Sequence, residues 1–250
     1  MIQREISGSV TILRLNHGKV NAIDSELLEA FSAELDSAAE SSCRAFVLTG
    51  TGKTFSAGVD LFRLLEAGDD YLDRFLPLFG SVLEKFFLFP KPIVAAINGH
   101  AIAGGCVFSS ACDYRIMSQG TIGIPELLVG VPFPPLALEV VRLSAAPQHF
   151  QEIVYTGRSY SVKDGLKRGL VDEVVTEESL LERSCEIAKQ FAALPQEAFA
   201  LTKRELRSAA VERAKNAGQD REILRLWRAP ETHAIIRAYL QQTIGKKNRD

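Results

Sequence analysis

Glu126 stands in the run Ile124-Pro-Glu-Leu-Leu-Val129, a carboxylate with almost wholly apolar neighbours. Two readings of such a residue are open. Facing a ligand cavity, it would be desolvated, its pKa would rise, and it would suit proton transfer. Paired with an arginine, it would be a structural ion. Gly104-Gly105 follows the apolar stretch Lys91-Pro-Ile-Val-Ala-Ala-Ile-Asn-Gly-His-Ala-Ile-Ala103 and opens a second apolar run, Cys106 to Ala111. The pair could serve close packing of a helix on a strand. It could equally leave helix-start amides free to receive developing negative charge. The loop Gly52-Lys-Thr-Phe-Ser-Ala-Gly-Val-Asp60 also lies between an apolar strand and a helix. Two such starts can bring two N–H donors to one oxygen, the geometry of an oxyanion hole.

The elements that must position these segments alternate between strand and helix. Strands are expected over residues 9–16, 45–49, 93–97, 113–117 and 121–124. Asp24 or Ser25 can cap a helix whose stripe is Leu27, Leu28, Phe31 and Leu35. A helical stretch from Asp60 to Phe89 should be interrupted by Gly68 and Pro77. Helices are expected at 135–145, 148–156 and 162–168, the last capped by Ser161 and ended by Gly169. From Glu178 onward strand patterns stop, and helices are expected at 180–194, 196–207, 211–226 and 230–243, with a frayed tail at 246–250. The class is α/β with largely parallel pairing and a helical carboxy-terminal region.

Composition narrows the function classes. A chain of 250 residues, 46% hydrophobic and 24% charged, can bury a large core. A net charge of −2 and the lack of a basic stripe argue against nucleic acid or an anionic membrane as partner. The amino terminus lacks a signal-peptide core and no apolar run reaches spanning length, so a cytoplasmic location is expected. Cys43, Cys106, Cys112 and Cys185 form no CxxC pair and read as thiols in a reducing compartment. His17, His100, His149 and His233 have no ligand spacing, so no metal is expected. GxGxxG is absent, and Gly50-Thr-Gly-Lys-Thr54 lacks P-loop spacing. Asp113 reads as a partner of Arg115 or part of a turn network, His100 as a turn residue, and Cys106 as a thiol without a histidine base.

Taken together, Phe55-Ser-Ala-Gly-Val-Asp-Leu61, Lys91 to Gly105, Cys112-Asp113 and Ile122-Gly-Ile-Pro-Glu126 resemble the crotonase (enoyl-CoA hydratase/isomerase) superfamily. Val20-Asn-Ala22 and Gly157-Arg-Ser-Tyr-Ser-Val-Lys-Asp-Gly-Leu-Lys-Arg-Gly-Leu-Val-Asp172 fit it as well. The resemblance implies a ββα superhelix over 1–177, with a helical region over 178–250 that covers the site and supports trimers or dimers of trimers. It implies an acyl-CoA thioester substrate and no separate cofactor, coenzyme A being part of that substrate. The thioester oxygen would accept from the N–H groups of Val59 and Gly104. Coenzyme A would run along Lys19, Val20 and Ala22 and along Ser56, Ala57, Val59 and Asp60.

The departures from the family pattern bear on the reaction. Hydratases of this family use two glutamates to activate water, and Val107 occupies the second position here. The glycine-rich turn after the Glu126 position is replaced by Pro132-Phe-Pro-Pro135, with Phe133 a candidate for the pocket wall. One carboxylate suffices to move a proton from C2 to C4, so the expected activity is that of an enoyl-CoA isomerase, with Glu126, Val59 and Gly104 as the catalytic set. The alternatives are weak hydration, thioester hydrolysis, decarboxylation, or acyl-CoA binding without catalysis. One of these other crotonase reactions would be favoured if a carboxylate of the 60–80 segment, such as Asp60, Glu66, Asp69 or Asp70, reached the site. Phe86, Phe87 and Phe89 are further candidates for an apolar acyl pocket.

Overall fold

A computed structural model describes residues 1–247, with side chains through residue 243. The chain opens with β1 (Ile2–Ser7) and β2 (Val10–Leu15), an antiparallel pair joined at Gly8. β1 is an unanticipated strand, because its inner residues Gln3, Arg4 and Glu5 are exposed on a sheet edge. Helix α1 (Ser25–Glu40) is capped by Asp24, whose carboxylate accepts from the Leu27 amide at 2.8 Å, and it buries the expected stripe.

Three repeats follow. β3 (Ala45–Gly50), β4 (Thr54–Ser56) and the helices α2 (Leu61–Ala67) and α3 (Asp69–Phe87) form the first. β5 (Ile93–Ile97), β6 (His100–Ile102) and α4 (Gly104–Ser110) form the second, and β7 (Tyr114–Met117), β8 (Thr121–Gly123) and α5 (Glu126–Val129) the third. In each repeat the first strand joins one sheet and the second joins another, so the chain winds as a ββα superhelix. It continues through α6 (Pro135–Ser144), α7 (Pro147–Thr156), β9 (Ser159–Ser161), α8 (Val162–Lys167) and β10 (Glu173–Val174). The last helices are α9 (Leu180–Ala192), α10 (Gln196–Asn216), α11 (Asp220–Arg228) and α12 (Pro230–Lys247). Beyond Lys247, the tail expected to fray lies outside the described residues.

Among the described residues, one sheet has the order β1-β2-β3-β5-β7-β10 and is parallel from β2 onward; the other runs β4-β6-β8-β9. The larger sheet is buried on both faces. Phe46, Leu48, Ala95 and Ile97 face the core with α1, α3 and α4, while Val47, Val94 and Ile116 pack under Ile187 and Ala188 of α9. Its central strands are therefore continuous apolar runs, which is what made them recognisable.

Several expectations need correction. Gly68 (φ +76) does separate α2 from α3, but α3 runs unbroken past Pro77. Buried Phe75, Phe79, Val82 and Leu83 anchor the helix on both sides of the single backbone bond that a proline forfeits. The helices expected at 196–207 and 211–226 have the wrong boundary. α10 is continuous to Asn216, held by buried Ala210 and Val211, and the break falls at Gly218 (φ +63). His100 lies in β6, with Nδ1 3.0 Å from Thr121 Oγ1, and not in a turn.

Asp113 does not pair with Arg115, which is held instead by both oxygens of Asp172 at 2.7 Å. It accepts from the Ile93 amide at 2.8 Å and forms ion pairs with Lys203 at 2.8 Å and Arg207 at 2.9 Å, both from α10. Arg207 also donates to the Ala111 and Cys112 carbonyls at the end of α4. The carboxy-terminal helices are thereby tied to the helix that begins at Gly104.

Candidate active site

The start of α4 is set by an unusual backbone. Ala103 has φ +51 and ψ −124, a region that L-residues rarely occupy, at a cost of order 1–3 kcal/mol. Its own amide donates to the Gly123 carbonyl at 2.8 Å, and its carbonyl accepts from Val107 at 3.0 Å. Among the described residues, the next amide, that of Gly104, has no hydrogen-bond acceptor. Gly105 needs its small size, since a Cβ there would sit 2.2 Å from the Ser56 carbonyl oxygen. Gly105 therefore permits close packing, and Gly104 has an N–H without an acceptor among the described residues.

The loop after β4 comes against this helix start. A methyl group on Gly58 would lie 2.9 Å from the Gly104 nitrogen, and Gly58 has φ +83. The loop is clamped to the segment after β2 by three backbone bonds: Ala57 N–H to Val20 O at 3.0 Å, Ile23 N–H to Gly58 O at 2.8 Å, and Asp60 N–H to Ile23 O at 3.0 Å. This ladder engages the residues on either side of Val59 and leaves the Val59 N–H without an acceptor among the described residues. Buried Asn21 reinforces the clamp by donating to the Thr54 and Phe55 carbonyls.

Lys19, Val20 and Ala22 thus lie beside Ser56, Ala57 and Asp60. Two of these side chains are already engaged within the protein. Ser56 Oγ donates to the Asn21 carbonyl at 2.8 Å, and Asp60 caps α2 by accepting from the Arg63 amide at 3.0 Å. Lys19 and Ala57 are exposed.

Glu126 is the first residue of α5, a short helix closed by left-handed Gly130 and the Val131 N–H to Glu126 O bond at 3.0 Å. Among the described residues, no arginine meets its carboxylate. Oε2 is buried without a hydrogen-bond partner among the described residues, and burial pushes the group up to about 8. Val59, Gly104, Val107 and Glu126 line one cavity of about 70 Å³. Its other walls include Phe75 and Phe79 of α3, Val129, Val131 and Pro134. Asp60, Glu66, Asp69 and Asp70 do not line it, nor do Phe86, Phe87, Phe89 or Phe133. The first three of those phenylalanines are core residues packed under α1 and α4, and Phe133 packs beside the same core.

Two wall residues were not anticipated. Trp227 of α11 and Tyr239 of α12 close the cavity from the carboxy-terminal region. Trp227 Nε1 is buried and unpartnered among the described residues. Burial pushes the Tyr239 phenol up, and the nearby Glu126 adds to the rise. Cys106 lies close under the site; burial, with Glu126 adding to it, pushes its thiol up to about 12, so it is no nucleophile.

The fold defines a crotonase-type protein, a ββα superhelix in which two residues with unpaired backbone amides, Val59 and Gly104, and the carboxylate of Glu126 line one apolar cavity. The enoyl-CoA hydratase/isomerase family model matches residues 5–240, and the chain belongs to that family of acyl-CoA enzymes. It is 27% identical over 217 residues to mouse mitochondrial enoyl-CoA delta isomerase 1, covering 85% of this chain and 75% of the relative. It is 31% identical over 207 residues to the short-chain-enoyl-CoA hydratase of Clostridium acetobutylicum, covering 80% and 78%. The crystal structure of human mitochondrial delta3-delta2-enoyl-CoA isomerase superposes with a TM-score of 0.92 over 98% of this chain and 99% of that one, at 23% identity, a likeness of fold.

Proposed function

We propose that this chain is a Δ3-Δ2-enoyl-CoA isomerase. The observation that carries the reading is the cavity's polar lining: one carboxylate, Glu126, with valine at position 107, beside the amides of Val59 and Gly104. Water addition needs a second group to hold and activate water, and among the described residues no second carboxylate lines the cavity. A double-bond shift needs none. Glu126, deprotonated, takes a proton from C2 of a 3-enoyl thioester, and the electron pair moves onto the thioester oxygen as an enolate. The Val59 and Gly104 N–H groups stabilise that oxyanion in a dry site. The dienolate electron density returns through C2–C3, and the same carboxyl group delivers its proton to C4. Atoms and charge balance without a cofactor, coenzyme A being part of the substrate.

The strip of Lys19, Val20, Ala22, Ser56, Ala57 and Asp60 would carry the coenzyme A moiety. Since Ser56 and Asp60 are engaged internally, the contacts there would come mainly from backbone groups and from Lys19. Exposed Leu127, Leu128, Leu201, Leu206 and Ile235 suit burial between subunits, in keeping with a trimer or a dimer of trimers.

Glu126→Gln should lower isomerisation of 3-enoyl-CoA by about 100-fold or more while acyl-CoA binding is retained. Wild-type activity in that variant would remove Glu126 from the mechanism. Assaying 2-enoyl-CoA hydration, thioester hydrolysis and decarboxylation alongside distinguishes the other crotonase reactions. Binding without turnover in every assay would point to an acyl-CoA-binding protein.

A further inference from the structure

Ile23 meets the segments that carry both unpaired amides. Its N–H and C=O bond to Gly58 and Asp60, the residues on either side of Val59, at 2.8 and 3.0 Å. Its buried side chain abuts Gly104, where a Cβ would come within 2.9 Å of Ile23 Cδ1. The place of Ile23 therefore sets where the Val59 N–H stands relative to the Gly104 N–H. The bonds of one backbone ladder lie in a row, and the loop can still tilt about that row. A tie off the row is needed to stop the tilt.

Asp24, the next residue, supplies it. Besides capping α1, its buried carboxylate lies 2.7 Å from His17 Nε2 and accepts from Arg63 Nη1 at 3.3 Å. Arg63 stands in the first turn of α2, and its own N–H is the one that Asp60 caps. The contacts close a ring: Ile23 to Asp60 by the backbone, Asp60 to Arg63 by the cap, Arg63 to Asp24 by the guanidinium, and Asp24 to Ile23 by the peptide bond. The guanidinium also pairs with Glu26 and lies 5.3 Å from the centre of the Tyr71 ring, whose hydroxyl accepts from the Ser25 amide at 3.2 Å. The Arg63 side chain is 38% exposed, and an ion pair so open to water adds little to stability. What it does is fix the start of α2 against Ile23, with a planar fork that reaches two carboxylates.

We infer that Asp24 and Arg63 are positioning residues, which through Ile23 hold the Val59 N–H at a fixed angle to the Gly104 N–H. The inference rests on the reading of those two amides as an oxyanion hole. Donors aimed at developing charge act by being fixed in direction beforehand. Slack in the ring would weaken their hold on the enolate more than on the bound thioester, so the loss falls on kcat and not on KM.

Two variants open the ring and spare both helix caps. Arg63→Gln keeps the α2 cap, which uses the backbone N–H, and Asp24→Asn keeps a side chain suited to cap α1. Each should lower kcat for 3-enoyl-CoA isomerisation about tenfold with KM unchanged within about twofold. Both act through one contact, so the double variant should also lose about tenfold, and not about a hundredfold. Infrared difference spectra of a bound saturated acyl-CoA read the same effect without turnover. The thioester carbonyl stretch should fall on binding to the wild type and recover part of the way in both variants. Arg63→Gln, at the more exposed position, carries the test should Asp24→Asn fail to fold. Lys85→Gln, which breaks the 2.6 Å pair with Asp36 elsewhere on α1, should change neither kcat nor the carbonyl band. Wild-type kcat in the ring variants overturns the assignment, as does a raised KM with kcat unaltered. So does a lower melting temperature with an unaltered carbonyl band, which would make the pair a stabilising contact only. Multiplicative losses in the double variant, or an equal loss in Lys85→Gln, overturn it too. A carbonyl stretch that does not fall on binding to the wild type would overturn the oxyanion reading instead.

Discussion

Burial pushes the Glu126 carboxyl group up to about 8, with no partner for its Oε2 among the described residues, so it exchanges between its proton-holding and proton-accepting forms close to neutrality. The consequence for stability has a definite sign. Below about pH 4.5 the group is neutral in both folded and unfolded chains and contributes nothing. Between there and about pH 8 the folded state holds a proton that the unfolded state has lost, so stability falls as pH rises. Glu126→Gln should therefore melt like the wild type near pH 4.5 and at a higher temperature near pH 8.5. The ceiling on the difference is about 5 kcal/mol, at 1.36 kcal/mol per pKa unit. Equal melting temperatures at both pH values would show that the carboxylate is solvated. Glu126 was legible because a carboxylate in an apolar run is a costly placement that demands a reason. Trp227 and Tyr239 were not, since an aromatic on a helical stripe looks the same whether it faces core or ligand. Ala103 left no trace at all, as its positive φ is imposed by the turn around it.

At the scale of elements, the site depends on how closely α4 can approach β4. Gly105→Ala would drive a Cβ to within 2.2 Å of the Ser56 carbonyl, and backbone there has no free direction to yield. Overpacking of this kind costs about 1–3 kcal/mol, and it would displace the Gly104 amide relative to Val59. A lowered melting temperature together with a drop in kcat is expected. A variant that melts early yet keeps full kcat would separate the packing role of Gly105 from any role in placing the amide. The long apolar strands β2, β3, β5 and β7 and the capped helices could be read from the sequence because their signals are local. The three-residue strands β4, β6 and β9 could not. Ser56, His100 and Ser159 carry little strand preference, and pairing with distant partners is what makes these short segments strands.

At the scale of the whole molecule, Asp113 joins the superhelix to the carboxy-terminal helices through two buried cations. Burial lowers Lys203 to about 8 even with Asp113 beside it, so removing the carboxylate would leave charge with no counterion. Asp113→Ala should destabilise by about 3–5 kcal/mol, and limited proteolysis should begin in α10 before the sheets are cut. Cleavage spread evenly along the chain would argue against this tie as the weak point. The sequence showed that a helical region follows residue 178; that α10 would reach back to the end of α4 was beyond it. Ion pairs spanning 90 residues leave no local pattern.

The cavity wall contributed by Trp227 and Tyr239 has a bearing on how the protein is made. The chain emerges from the ribosome amino end first, so the two amides and Glu126 are synthesised a hundred residues before the aromatic pair that seals them from water. During that interval a nascent molecule carries Glu126 and the Val59 and Gly104 amides without the apolar enclosure that surrounds them in the folded chain, and all three are solvated. The cavity is complete only when the last helices dock, so its enclosure reports that synthesis has run through to α12.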